Sequence, residues 1–277
     1  MSQDAGSRPE GRYVLGHSDS ELGRLQLQAR LIGPITRRFF VNAGITEGMR
    51  VLDVGCGAGD VSFLVSSLVG YSGEVVGIDR SAVAIELATE RAAEYGLYNV
   101  RFLVGDAFAE PLPDRFDAAV GRYVLQFQPD PVAALRNLRA MVEPGGLLAF
   151  HEIDWGGIES SPSVPTFDRV CGWLRAAIAA GGAATRMGIG LYHAFVAAGL
   201  AVKGVERDAL FGGGADGYAV FELVASLALT LAGPIEQMGL TSEIDADALL
   251  AAMVREATDL GAFVVGNTQY CAWARNQ

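Results

Sequence analysis

Between Met49 and about His151 the chain alternates short apolar runs with stretches whose apolar positions recur every three or four residues. "RVLDV" is a near-continuous apolar strand, and "DVSFLVSSLVG" after it has helical spacing and stops at Gly70. "EVVGID" predicts a second strand. Ser81 then stands as the N-cap of "AVAIELATERAAEYG", which ends at Gly96. "VRFLVGD" and "FDAAVGR" predict the third and fourth strands. "DPVAALRNLRAMVEPGG" carries Pro131 in its first turn and closes on Pro144-Gly145-Gly146, and "LLAFHEID" is the fifth strand. Strands separated by helices of this length predict βαβ units and a parallel, doubly wound sheet.

The pattern changes on both sides. Residues 1–48 read as a loop followed by one or two helices in "SELGRLQLQARLIGPITRRFFVNAG". Beyond Asp154 helical spacing is expected around Phe167–Ala180, Met187–Ala198, Ala219–Ala232 and Asp245–Leu260. "AVKGVERDALF" and "AFVVGNTQYCAWAR" are the two late strands. No internal repeat is visible. The longest apolar stretch, Tyr218 to Gly233, is interrupted by Glu222 and falls short of the roughly 20 residues of a membrane span, so it predicts a buried or pocket-lining helix.

Composition narrows the classes. With 51% hydrophobic residues over 277 positions there is material for one large α/β domain, or a core with a smaller cap. A formal charge of −11 opposes general attraction to nucleic-acid phosphates and anionic lipid. Cys56, Cys171 and Cys271 are odd in number and widely spaced, which predicts a reducing, cytoplasmic setting without a disulfide framework. "MSQDAGSRPEGRY" lacks the apolar centre of a signal peptide. No metal-ligating set stands out.

The first strand opens into "GCGAG" between two acids, Asp53 and Asp60. Asp60 falls where the third glycine of a dinucleotide loop belongs, and no lysine occupies a phosphate-loop position. A carboxylate at that helix start competes with a pyrophosphate for the N-terminal amides. The loop therefore suits a cationic ligand that carries a nucleoside, and S-adenosylmethionine fits. Asp79 and Asp106 end the second and third strands, where a ribose and an adenine amino group would be held; carboxyl ends of strands line the ligand crevice of such sheets.

"VLDVGCGAG", "VVGID", "VGDA", "FDAAVGRYVLQF" and "VEPGGLLAFHE" resemble, in order and spacing, the motifs of class I S-adenosylmethionine-dependent methyltransferases over about Met49–Asp154. The resemblance implies a Rossmann-like, doubly wound seven-stranded sheet, six strands parallel and one antiparallel, the last strand being the antiparallel one beside the fifth. It divides the chain into an N-terminal helical lid segment, 1–48, and a methyltransferase domain, 49–277, with helical insertions at about 155–185 and 212–260. It implies that Gly55, Gly57 and Gly59 approach the methionine part of the cofactor, that Asp79 holds the ribose, and that Asp106 with Ala107 holds the adenine. Asp53, Cys56 and Arg80 belong to the same set. Gly121 and Arg122 lie where the family contacts the amino-acid end; Arg122 can pair with that carboxylate or form an ordinary surface ion pair. Tyr13 and Gln28 are candidates in the lid.

The acceptor is expected to be a small, hydrophobic molecule. The chain has "GRYVLQF" where amino-methylating DNA enzymes carry D/N-P-P-Y/F, and no cysteine follows a proline as in cytosine-C5 enzymes. The late apolar helices suit a lid over such an acceptor, or a homodimer interface. O-, N- and C-methylation all stay open. His151, beside Glu152 at the end of the fifth strand, is the candidate base, expected to ionise near pH ~6.5. His17 lies in the lid, and His193 is expected to be structural. The alternative is a protein of the same fold that binds the cofactor without transferring methyl, as a sensor or a non-methylating enzyme.

Overall fold

A computed structural model describes residues 19–110, 112–214 and 217–277. Helix α1 (Asp19–Ala43) leads into β1 (Arg50–Val54), α2 (Asp60–Val69), β2 (Glu74–Asp79), α3 (Ala82–Glu94), β3 (Val100–Val104), β4 (Phe116–Arg122), α4 (Pro131–Arg139) and β5 (Val142–Asp154). A three-residue strand β6 (Glu159–Ser161) follows, then α5 (Pro165–Ala180), α6 (Met187–Ala197), β7 (Ala201–Gly212), α7 (Ala219–Thr230), α8 (Ala232–Gln237), α9 (Ala246–Leu260) and β8 (Phe263–Arg275).

β3, β2, β1, β4 and β5 pair in parallel, and β8 lies antiparallel to β5 along Leu147–Asp154. β7 pairs antiparallel with the opposite edge of β8. The expected seven-stranded frame is thus present, with the last strand in the expected place. The eighth strand, β6, was not foreseen: it continues β5 along β8, pairing with Phe263–Val265. Its three residues are too short to carry a readable alternation.

Burial on both faces explains the continuous apolar runs. Val51 faces Phe39, Phe40, Val61 and Val65 of α1 and α2, while its neighbour Leu52 faces the Leu135, Leu138, Leu191 and Phe195 side, contributed by α4 and α6. A third core lies outside the sheet. Segments far apart in sequence meet there: Phe167, Val170 and Leu174 of α5, Phe221 and Val224 of α7, and Met253 and Ala257 of α9. These helices form one cap.

Two boundaries move. α4 starts where expected, with Asp130 accepting from the Val132 and Ala133 amides and Pro131 in the first turn, but it ends at Arg139 instead of running to Pro144. Met141 and Val142 are pulled into the sheet, and the pairing with β4 jumps from Phe116↔Val142 to Ala118↔Leu147, so Glu143–Gly146 bulges out. The helix expected over Ala219–Ala232 breaks at Leu231 because Pro234 lacks an N–H and crowds the Thr230 carbonyl.

Phe167 is fully buried and packs on Phe221 with ring centroids 5.2 Å apart. Phe167→Ala should destabilise the protein by about 3–5 kcal/mol, read as a lower urea midpoint. A change under about 1 kcal/mol would mean that the cap core repacks without cost.

Candidate functional site

The glycine loop follows β1 and is tied to β2: the amides of Gly55 and Cys56 donate to the Ile78 carbonyl at 2.8 and 3.1 Å. Gly55 and Gly59 have positive φ, and a Cβ at either would strike Val124 or Phe63, at 2.5 and 2.7 Å. Gly57 also has positive φ, yet a Cβ there would meet nothing within 4 Å. Two glycines therefore serve packing, and the middle one borders open space.

β1, β2 and β3 are parallel neighbours, so their strand-end acids lie at the same edge of the sheet as the loop. Asp79 is held by two amides, Gly57 to Oδ2 and Ser81 to Oδ1, both at 2.9 Å. Each oxygen retains a lone pair for a hydroxyl donor. Asp106 Oδ1 accepts from the Phe108 amide at 2.9 Å, Arg80 stands 3.9 Å from its Oδ2, and Ala107 is buried beside it. Asp53 is buried; Oδ2 accepts from Ser62 Oγ at 2.6 Å, and Oδ1 has no partner. Burial pushes its pKa up to about 7, against the pull of Ser62 and Arg122. An unpartnered carboxylate oxygen beside an open glycine loop fits an ammonium group, and Asp79 fits a ribose. Arg122, at the end of β4, donates to Thr36 Oγ1 at 3.2 Å and makes no ion pair among the described residues.

Two residues of the loop behave differently from expectation. Asp60 forms an ion pair with Arg91 at 2.7 Å, both side chains largely buried, and Arg91 also donates to the Ala58 carbonyl at 2.6 Å. Its charge is neutralised in place, so its repulsion of a phosphate is weaker than the sequence suggested. The Cys56 thiol turns under the loop toward Gly77 and Phe102, where burial raises its pKa far above the thiol range. Only its backbone lies along the loop.

β4 ends in a tight turn. Tyr123 has φ +60, the only positive φ outside glycine among the described residues. A left-handed residue with a Cβ costs roughly 1–2 kcal/mol, and such strain persists where neighbours over-determine it. Here the Tyr123 amide donates to the His151 carbonyl at 2.9 Å. The Val124 and Leu125 amides donate to Glu152 Oε1 at 2.8 and 2.7 Å. Glu152 is fully buried, with Oε2 unpartnered, and burial pushes its pKa up to about 8.

His151 is fully buried as well. Nδ1 is 3.1 Å from Thr36 Oγ1, Nε2 is 2.9 Å from Gln269 Oε1, and Phe39 packs edge-on at 5.0 Å. Burial, reinforced by Arg122, lowers its pKa to about 3. The expected ionisation near pH ~6.5 is therefore not that of His151 in the folded protein. His193, expected to be structural, is exposed on α6.

Beneath the cap lies a cavity of about 60 Å³ lined by Gln28, Ile32, Tyr123, Ile153, Trp155, Leu174, Leu210, four residues of α7 (Val220, Leu223, Val224, Leu227), and Gly266, Asn267 and Gln269 of β8. Gln28 stands on this wall; Tyr13 and His17 lie outside the described residues. His151 and Glu152 do not line it. Instead Tyr123, whose hydroxyl donates to Gln269 Oε1 at 2.5 Å, stands between His151 and the cavity. Tyr123, Gln269 and Asn267 were not singled out from sequence. The available signal was the polar run Asn267-Thr268-Gln269 inside an otherwise apolar strand. Among the described residues no group of three or more His, Cys, Asp or Glu is arranged to hold a metal ion, and no helix is long and apolar enough to cross a membrane.

A family model described as a methyltransferase domain matches residues 45–180. An aklanonic acid methyltransferase from Streptomyces sp. (strain C5) is 36% identical over 149 residues, 53% of this chain and 67% of that protein. A demethylmenaquinone methyltransferase from Staphylococcus aureus (strain MRSA252) is 34% identical over 135 residues, 48% of this chain and 53% of that one. The match thus spans about half the length of one curated relative and two thirds of the other. Among solved structures, a [4+2]-cyclase covers 90% of this chain and 81% of its own, with a TM-score of 0.55 and 24% identity, a likeness of fold alone.

Asp53 generates a pH prediction. The unfolded chain ionises it near pH ~4 and the folded chain near about 7, so across that window the native state keeps a proton that the unfolded state has lost. Stability falls as pH rises, by at most about 4 kcal/mol from this group. Asp53→Asn should remove that loss, gaining stability relative to wild type at pH 8 but not at pH 4, in urea titrations. An equal difference at both pH values would mean that Asp53 is not raised.

Proposed function

Since this chain belongs to the class I S-adenosylmethionine-dependent methyltransferases, we propose that it transfers the methyl group to a small, hydrophobic organic acceptor bound beneath the cap. One observation carries the reading: Val124 packs over Gly55 of the loop while the adjacent Tyr123 lines the apolar cavity. Cofactor crevice and acceptor cavity share one strained turn. The named relatives, both methyltransferases of small organic molecules, support the same class of acceptor.

Bound S-adenosylmethionine supplies an activated sulfonium methyl, so the protein's task is mainly to position and desolvate. Asp79 accepts from the ribose hydroxyls, with Arg80, Asp106 and Ala107 around the adenine. Asp53 takes the ammonium on its unpartnered oxygen, and Arg122 the carboxylate. Gly55, Gly57 and Gly59 let the backbone approach the methionine part. Gln28, on α1, closes the cavity rim from the lid side. Glu152 and His151 act as positioning residues: Glu152 holds the turn, and neutral His151 backs the Tyr123–Gln269 pair. Three free, buried cysteines suit a cytoplasmic setting, and the net negative charge suits an acceptor that is not nucleic acid.

Asp79→Ala should weaken S-adenosylhomocysteine binding roughly tenfold or more by calorimetry, since charge-assisted hydrogen bonds contribute about 1.5–3 kcal/mol each. Leu223→Trp, which fills the cavity from α7, should leave that affinity intact and lower the release of S-adenosylhomocysteine in incubations with a panel of apolar aromatic acceptors. Tight cofactor binding with no product from any acceptor would favour a protein that holds the cofactor without transferring methyl. An unchanged rate in Leu223→Trp would move the acceptor site elsewhere.

A further inference from the structure

The cavity is apolar, and none of its lining residues is Asp, Glu, Lys, Arg or His. Its polar side-chain groups are those of Gln28, Tyr123, Asn267 and Gln269, together with the indole N–H of Trp155. Gln269 is already committed: Oε1 faces the Tyr123 hydroxyl and His151 Nε2, and Nε2 donates to the Asn267 carbonyl at 3.1 Å. Asn267 differs. Its Nδ2 is buried and has no hydrogen-bond partner, the only such nitrogen among the described side chains.

An amide NH2 without a partner in an apolar setting is unfavourable by roughly 1–3 kcal/mol. β8 bears this residue on the wall of the cavity, beside an ordered glutamine whose own groups are satisfied. Such a donor is satisfied by an oxygen that enters with a ligand, and a site that offers a hydrogen bond discriminates against a ligand that cannot complete it. Resting on the acceptor site proposed above, we infer that the acceptor is an apolar molecule carrying a carbonyl or comparable hydrogen-bond-accepting oxygen, and that the Asn267 amide donates to it. Asn267 is then the residue that selects oxygen-bearing acceptors, while α7 supplies the apolar enclosure.

The test uses 1-tetralone and tetralin, which share a ring system and differ by one carbonyl. Binding of each is measured by calorimetry on the full chain saturated with S-adenosylhomocysteine, for wild type and Asn267→Leu. Hydrophobicity alone favours tetralin in both proteins, so the informative quantity is the ratio of the two dissociation constants. Replacing Asn267 should shift that ratio against tetralone by about fivefold or more, with tetralin affinity unchanged or improved. Asn267→Ala, which removes the donor without adding bulk, should shift it in the same direction and serves if the leucine variant does not fold. A ratio unchanged in the folded variants overturns the inference, as does a wild type that binds neither probe. Failure of S-adenosylhomocysteine to bind wild type would instead strike the methyltransferase reading; the ratio measured without it would still decide the role of Asn267.

Discussion

The site depends on one buried carboxyl group. Glu152 Oε1 receives the amides of Val124 and Leu125, and this joins the end of β5 to the end of β4. Without that acceptor, the chain leaving β4 would have two buried amides unpaired, and only the Tyr123 amide on the His151 carbonyl would tie the left-handed turn to β5. With it, the turn is fixed: Val124 covers Gly55, Tyr123 reaches the cavity, and Arg122 is left at the strand end beside Thr36. Because burial keeps Glu152 protonated up to about pH 8, no full charge is buried at the joint near neutrality.

The same turn separates two environments. On the loop side, Asp79 and Asp106 bring negative charge to the loop, with the buried Asp53 carboxyl behind it, as a cation with a nucleoside requires. On the cap side the wall is apolar and uncharged. His151 belongs to neither surface. It lies behind Tyr123, neutral, between Thr36 of α1 and Gln269 of β8, so the first helix, the central sheet and the last strand meet at its ring.

What sequence revealed followed the range of the interactions. The glycine loop and the three strand-end acids were legible because each is fixed by its own strand and the turn after it. The burial of His151 was not, since Thr36 and Phe39 cover it from more than a hundred positions away. The neutralisation of Asp60 depends on Arg91, one helix later, and no local pattern encodes that pairing. Asn267 and Gln269 enter the site only because β8 inserts beside β5, so the strand was predictable while its chemistry was not. The early end of α4 has a similar origin: Met141 and Val142 gain more by joining the sheet than by extending a helix.

That insertion also bears on how the molecule is made. β5 and β7 both complete their hydrogen bonding on β8, which follows the whole cap in the chain. During synthesis the sheet therefore waits, with unpaired edges on both strands, until α7, α8 and α9 have emerged. The nascent chain at that stage exposes backbone able to pair with a neighbour's. Pairing with one late strand covers both edges, and the same pairing brings Asn267 and Gln269 to the cavity.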